Sequence, residues 1–365
     1  MSAPSNQYTV MKMTKCILSL MLLAIVEICV AQEKELEAIL TRDSITGMQL
    51  VYQKGTEKLE LDLGVRSRMP WEAVKGNTIF QAASLSKTIV AYAALRMYDK
   101  GLLDLDKPLY AYIPNPKMNR DTLTRTITAR MVLTHTSGLP NWSFNPFDPS
   151  WDTVQYVLQF KPGSAWSYSG EGFACLQRVM EALTGKNLQA IAEQEVFKPL
   201  RMTNSSFTWT PELDTFLARG HGENGKEDAK SHNTKALAAA TLLTTASEFN
   251  LFLRALITGK GLKPDTWKMM LQKAVTPDRF GEPHDSSAAH LGWGLGLGLE
   301  VNDKGNAIWH WGDNGDFKCF FMAFPGTGET LVFMTNDQNG LRHIEDILSV
   351  FLGRREYWSP RWLAY

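Results

Sequence analysis

QAASLSKTIVAYAALRMYDKG, residues 81–101, is the stretch from which the rest of this sequence can be organised. From Ser84 to Lys100 it reads as a helix, with Ile89, Val90, Ala93, Ala94 and Met97 along one side and Gly101 as its stop. Residues three apart on a helix share a face, so Ser84 and Lys87 can meet. A serine hydroxyl is a weak nucleophile until a base takes its proton. A neutral lysine amine can be that base where burial disfavours its ammonium form. Ser84 also stands at the helix start, where the dipole favours developing negative charge. The Ser-x-x-Lys pattern alone carries little, since about one match arises by chance in a chain of this size. The plainer reading is an N-cap serine followed by a surface lysine, and context must decide between the two.

The flanking sequence supplies that context. Upstream, residues 47–52 and 59–65 read as two strands around a turn at Lys54-Gly55. Downstream, residues from about 111 to 289 look mainly helical. Helices are expected over 170–184, stopped by Gly185, and over 246–258, stopped by Gly259. The run WGLGLGLE, residues 293–300, alternates like a strand. Residues 308–312, 319–324 and 330–335 read as further strands, and 344–352 as a closing helix. Strands at both ends and helices between them imply an α+β fold. An antiparallel sheet is assembled from about 32–110 and 290–365, flanked by helices, with a mainly helical region inserted at about 111–289. Together they form one catalytic domain, with a site in the groove between the parts. The loop 141–151 is rich in Trp and Phe and is a candidate pocket wall.

Bulk properties narrow the function. The chain has 365 residues, with 38 basic side chains balancing 38 acidic ones. A neutral chain lacks the basic excess of a nucleic-acid binder. There is no Cys/His cluster at metal-binding spacing and no phosphate-cradling glycine loop, so neither metal nor cofactor is expected. Lys12 and Lys15 precede an apolar run from Ile17 to Val30, with Cys29 and Ala31 at signal-peptidase spacing. Residues 1–31 therefore read as a secretory signal cut after Ala31, with Met11 or Met13 as alternative starts. The run is short for a membrane span and is interrupted by Glu27, so no stable span is expected after cleavage. The mature chain keeps Cys175 and Cys319, and the sequence leaves open whether they pair.

Two further segments join Ser84 and Lys87. One is PGSAWSYSG, residues 162–170, leading into a helix; the other is His310-Trp311-Gly312, ending one strand before the next. With LTHTSGLP (133–140), ALTGKNL (182–188), KPLRMTNSSF (198–207) and LLTTASEFNLFLRAL (242–256), the sequence resembles the penicillin-recognising serine enzymes. The branch is the class C β-lactamase-like one, with its serine carboxypeptidases, esterases and acyltransferases. The family's motifs are Ser-x-x-Lys, Tyr-x-Asn and Lys/His-x-Gly, in that order and at similar separations, and the resemblance covers nearly the whole mature chain. The resemblance implies a β-lactamase/DD-peptidase-like fold with Ser84 as nucleophile, Lys87 as base, Tyr168 as proton relay and His310 tuning Tyr168. It also implies an oxyanion hole from the backbone N–H groups of Ser84 and Asp313, with Gly312 allowing close approach of substrate. His135 is expected to support a loop, and Glu171 to match a helix dipole.

Two positions depart from the family pattern. Gly170 stands where the second motif has asparagine, and Trp311 stands where the third motif has a small or hydroxylated residue. Both weaken the fit to a β-lactam and favour an ester, or an acyl group on an apolar body. Trp142, Phe144, Phe147, Gly170, Trp311 and Gly312 are the expected substrate-contacting set. The expected function is an exported, periplasmic or secreted, serine hydrolase of esters or amides acting on a small-molecule acyl substrate. The alternatives are transfer of the acyl group to a hydrophobic alcohol, and a non-catalytic sensor that kept the fold.

Overall fold

The structure, a computed structural model, describes residues 29–222, 225–228 and 232–365. Of the expected leader only 29–31 fall within it.

A helix over residues 29–42 (α1) precedes two long strands, Gly47–Lys54 (β1) and Glu57–Arg68 (β2), joined by the expected turn at Gly55. Trp71–Ala73 (β3) and Phe80–Ala83 (β4) follow, and then Ser86–Asp99 (α2). The inserted region carries Ala129–Leu133 (α3), Gly170–Thr184 (α4), Leu188–Ala192 (α5), Lys198–Leu200 (α6), Pro211–Asp214 (α7), Leu242–Thr244 (β5), Ala246–Thr258 (α8) and Pro264–Leu271 (α9). Leu291–Trp293 (β6), Gly298–Asn302 (β7), Gly305–Asp313 (β8), Lys318–Phe324 (β9) and Glu329–Thr335 (β10) return the chain to the sheet. Ile344–Leu352 (α10) and Trp358–Leu363 (α11) close it.

Eight strands form one antiparallel sheet in the order β3-β2-β1-β10-β9-β8-β7-β6. β1 pairs with β10, so the two ends of the chain do meet in one sheet. Helices cover both faces, which explains the unbroken apolar run CFFMAF that follows Lys318 in β9. Cys319, Phe321 and Ala323 pack with α2 and the helical region, while Phe320, Met322 and Phe324 pack with α1, α10 and α11. β4 lies off this sheet and pairs with β5, tying the start of α2 to the helical region.

Two helix stops fall where the glycines place them: Gly185 (φ 65°) ends α4 and Gly259 (φ 69°) ends α8. The stretch 293–300 is not one strand. It is a hairpin, β6 and β7, that turns through 294–297, where Gly294 N–H donates to Leu297 C=O (3.0 Å) and Gly296 has φ 83°. The alternating glycines that suggested a strand supply the turn instead. Cys175 and Cys319 are buried free thiols, and burial pushes Cys175 up to about 12.

Candidate active site

The turn 83–85 connects β4 to α2 and carries Ser84. Ala83 sits in the left-handed region (φ 47°), where a non-glycine residue is strained. Neighbouring bonds hold it there. Ser86 Oγ donates to Ala83 C=O (2.5 Å) and accepts from Leu242 N–H of β5 (3.0 Å). One turn into α2, Lys87 is buried, with Nζ donating to Ser84 Oγ (3.0 Å) and to Ala239 C=O (2.9 Å). No carboxylate is among these partners. Desolvation therefore acts unopposed and depresses the Lys87 pKa well below the usual lysine range.

The helical region supplies Tyr168. Ser169 caps α4, its Oγ accepting from Gly172 N–H (2.9 Å), which fixes the approach of the preceding residues. The Tyr168 ring lies 4.7 Å from Lys87 Nζ. Its buried hydroxyl is close enough to Ser84 to be influenced by it, yet closes no hydrogen bond of ordinary length among the described residues. Burial holds the phenol well above its ordinary pKa, so it is a neutral O–H at physiological pH.

β8 supplies the third side. A Cβ on Gly312 would fall 2.5 Å from Ala82 C=O and 3.3 Å from Ser84 N, so the strand backbone lies against the nucleophile turn and admits only glycine. Asp313 comes next in β8. Its carboxylate binds Lys318 Nζ (2.6 Å), Tyr365 Oη (2.8 Å) and Gly315 N–H (2.8 Å). His310 is fully buried; its Nδ1 donates to Trp311 C=O (2.7 Å), leaving Nε2 as a buried lone pair without a partner. Burial, then the charge of Lys87, pushes His310 down to about 3.

His135 is also part of this cluster. Its Nδ1 accepts Ser169 N–H (3.0 Å) and its ring lies 4.4 Å from that of Tyr168, so it supports the second motif directly. Glu171, at the start of α4, accepts from Ser143 N–H (3.1 Å) and Ser143 Oγ (2.5 Å) and so pins the loop 141–151. Lys117 pins the other end through Trp151 C=O (2.7 Å) and the face of the Trp151 ring, 3.7 Å away.

Of the expected substrate-contacting residues, some come together and some do not. Trp311 packs on Tyr168 with ring centroids 4.7 Å apart. Trp142 occupies the space that Gly170 leaves: a Cβ on Gly170 would fall 2.4 Å from the indole. Phe144 and Phe147 are largely exposed, and among the described residues neither makes a ring contact with Tyr168, Trp142 or Trp311. Their sequence signal was the aromatic density of the loop, which does not specify direction. Sequence reasoning missed Ala239, a backbone carbonyl with no side-chain signature, and Trp293, Trp362 and Tyr365, which carry no motif. A cavity of about 640 Å3 opens beside Leu271, Lys273, Leu299 and Phe324, toward the start of β8, and takes in none of the catalytic candidates.

A buried, unpaired lysine on a serine, with a neutral phenol and a glycine-lined strand beside them, can perform acyl transfer. The family model described as Beta-lactamase matches residues 33–353. The chain belongs to the beta-lactamase family. Among relatives of this beta-lactamase-family chain, penicillin-binding protein 4 of Amycolatopsis lactamdurans is 24% identical over 344 residues, covering 88% of each chain. Lovastatin esterase of Penicillium rubens is 26% identical over 298 residues, covering 70% of this chain and 73% of its own. Among solved structures, a class C beta-lactamase superposes with TM-score 0.74 at 17% identity, covering 91% of this chain and 97% of its own. A D-alanine carboxypeptidase of Burkholderia cenocepacia gives TM-score 0.73 at 17% identity, covering 89% and 99%. At that identity the structures establish the fold alone. The family is one of serine hydrolases with esterase and carboxypeptidase members. Among the described residues no helix is long and apolar enough to cross a membrane.

Proposed function

We propose that this protein is an exported serine hydrolase that cleaves an ester or amide through an acyl-Ser84 intermediate, and that esters with an apolar body are its preferred substrates. The observation that carries the reading is Lys87 Nζ, buried, without a carboxylate among its hydrogen-bond partners, and 3.0 Å from Ser84 Oγ. Lys87 takes the Ser84 proton as Oγ attacks the carbonyl carbon. The N–H groups of Ser84 and Asp313 receive the oxyanion. Tyr168 protonates the leaving group and regains its proton from the Lys87 ammonium, so both are neutral in the acyl-enzyme, and water retraces the route to release the acid. Neutral His310 keeps a free Nε2 lone pair, with its ring centroid 6.0 Å from that of Tyr168, and can accept a hydrogen bond from the Tyr168 hydroxyl if the two close up during the reaction. Both departures from the β-lactam pattern support the ester reading, because Trp142 and Trp311 put aromatic faces where polar grips would stand. The esterase among the relatives supports it as well. The leader-like residues 1–31 support a periplasmic or secreted location.

A small activated ester such as 4-nitrophenyl butyrate tests the reading. Intact mass should rise by one butyryl group, mapped to Ser84, and Ser84→Ala should not be labelled. A label on another residue removes the assignment, and no label favours the non-catalytic sensor. A second outcome, transfer to a hydrophobic alcohol, is favoured by the same two indoles, which can hold an acceptor against Tyr168. Graded concentrations of bulky alcohols should then divert acyl groups from free acid to ester; if none is diverted, hydrolysis stands.

A further inference from the structure

We propose that Tyr365 is a specificity-determining residue, which closes the end of the groove beyond Gly312 and limits the size of the acyl group that can lie along β8. The inference rests on the acyl-Ser84 reading.

Three contacts fix the side chain. Its hydroxyl donates to Asp313 Oδ2 (2.8 Å), the residue directly after Gly312. Lys318 Nζ binds the same carboxylate oxygen (2.6 Å) and lies 5.2 Å from the Tyr365 ring centroid. The base of the segment is equally held. Trp362, three residues earlier, packs on Trp166 (5.5 Å), Trp309 (5.7 Å) and Trp311 (5.9 Å). The Trp362 indole N–H donates to Pro277 C=O (3.1 Å), while Arg279 donates to Trp362 C=O (3.0 Å) and stacks on its ring at 4.1 Å. A ring anchored at its hydroxyl, on a segment held at Trp362, cannot swing away at little cost when a substrate presses on it. Yet Tyr365 is 49% exposed, so part of the ring faces outward rather than into the core. Tyr168 and Tyr365 also belong to one electrostatic neighbourhood: after burial, Tyr365 is among the causes that hold the Tyr168 phenol above its ordinary pKa.

A fixed, half-exposed ring one residue beyond Gly312 acts by occupying volume. Its removal opens space that an acyl chain can fill, and each newly buried methylene is worth about fourfold in kcat/KM. The test is a ladder of 4-nitrophenyl esters from acetate to dodecanoate on the wild type, Tyr365→Ala and Tyr365→Phe. Tyr365→Ala should raise the dodecanoate-to-acetate ratio of kcat/KM by roughly tenfold or more, mainly through KM. Tyr365→Phe keeps the ring but loses the bond to Asp313, so its ratio should lie between those of the wild type and Tyr365→Ala. A purely structural role would lower all esters together and leave the ratio unchanged, and that result overturns the proposal. If the wild type turns over no ester and Ser84 stays unlabelled, the acyl-Ser84 reading itself has failed and this inference falls with it.

Discussion

At the scale of single residues, the chemistry depends on burial overriding ordinary ionisation. Burial takes water from Lys87 and lowers its pKa, which is what the proposed role as base requires. The acid limb of kcat/KM should therefore report Lys87, with activity lost as pH falls through its depressed pKa. His310, neutral down to about 3, should not set that limb. A pH profile of His310→Gln should keep the limb in place, whereas Lys87→Ala should cost roughly 10^4-fold or more in turnover, because a nucleophile and its base act as a unit. The same burial couples stability to acid. His310 falls from 6.5 in the unfolded chain to about 3 in the folded one, so the unfolded state binds the proton first. Stability present above about pH 6.5 should be lost progressively as pH falls toward 3. Thermal melts across that window should show a shallower decline for His310→Gln than for wild type, and equal slopes would contradict the assignment. Gly312→Ala is the backbone counterpart. Its methyl meets Ala82 C=O at 2.5 Å, so both turnover and stability should drop, the latter by about 1–3 kcal/mol on denaturant titration.

At the scale of elements, the loop 141–151 and the start of α4 behave as one unit. Glu171 holds Ser143, Lys117 holds Trp151, and Trp142 lies across Gly170. Restoring the family asparagine with Gly170→Asn alone should therefore disorder this loop and lower ester turnover, rather than create a β-lactam grip. Combining it with Trp142→Ala should recover the fold and raise any trace of β-lactam hydrolysis above the wild-type level, which is expected to be slow or nil. Thermal melts and cephalosporin turnover of the single and double variants check this. A well-folded, active Gly170→Asn would show that Trp142 moves aside freely.

At the scale of the whole molecule, α1 helps to cover the sheet. Leu36, Ile39 and Leu40 are buried against the face that also receives α10. The proposed cut after Ala31 would leave them in place, and on that proposal the mature protein should begin near Gln32. Deleting residues 32–42 should cost several kcal/mol, since each such side chain contributes about 1.5–3 kcal/mol on burial. N-terminal sequencing and denaturant midpoints test the two halves of that expectation.

Much of this molecule was legible because its signals are local or periodic. Ser84 and Lys87 lie one helical turn apart, so a sequence spacing is already a distance. Gly185 and Gly259 stop their helices because left-handed backbone favours glycine. The apolar runs at 319–324 and 330–335 read as strands, and the structure adds that the sheet they join is covered on both faces. What the sequence could not settle depends on direction and on partners far along the chain. A strand and a glycine hairpin share the alternation seen at 293–300, and only the turn at Gly296 separates them. An aromatic loop does not say which of its rings turn inward, so Trp142 reaches Gly170 while Phe144 and Phe147 stay at the surface. Tyr365 reaches Asp313 from 52 residues away, and Lys87 finds its second acceptor at a backbone carbonyl 152 residues on. The sequence by itself marked the candidate residues, Ser84 and Lys87 by their one-turn spacing and Tyr168 and His310 through the family pattern. The tertiary structure alone decided which distant residues gather around Ser84, because those contacts come from packing among residues that have no pattern in common.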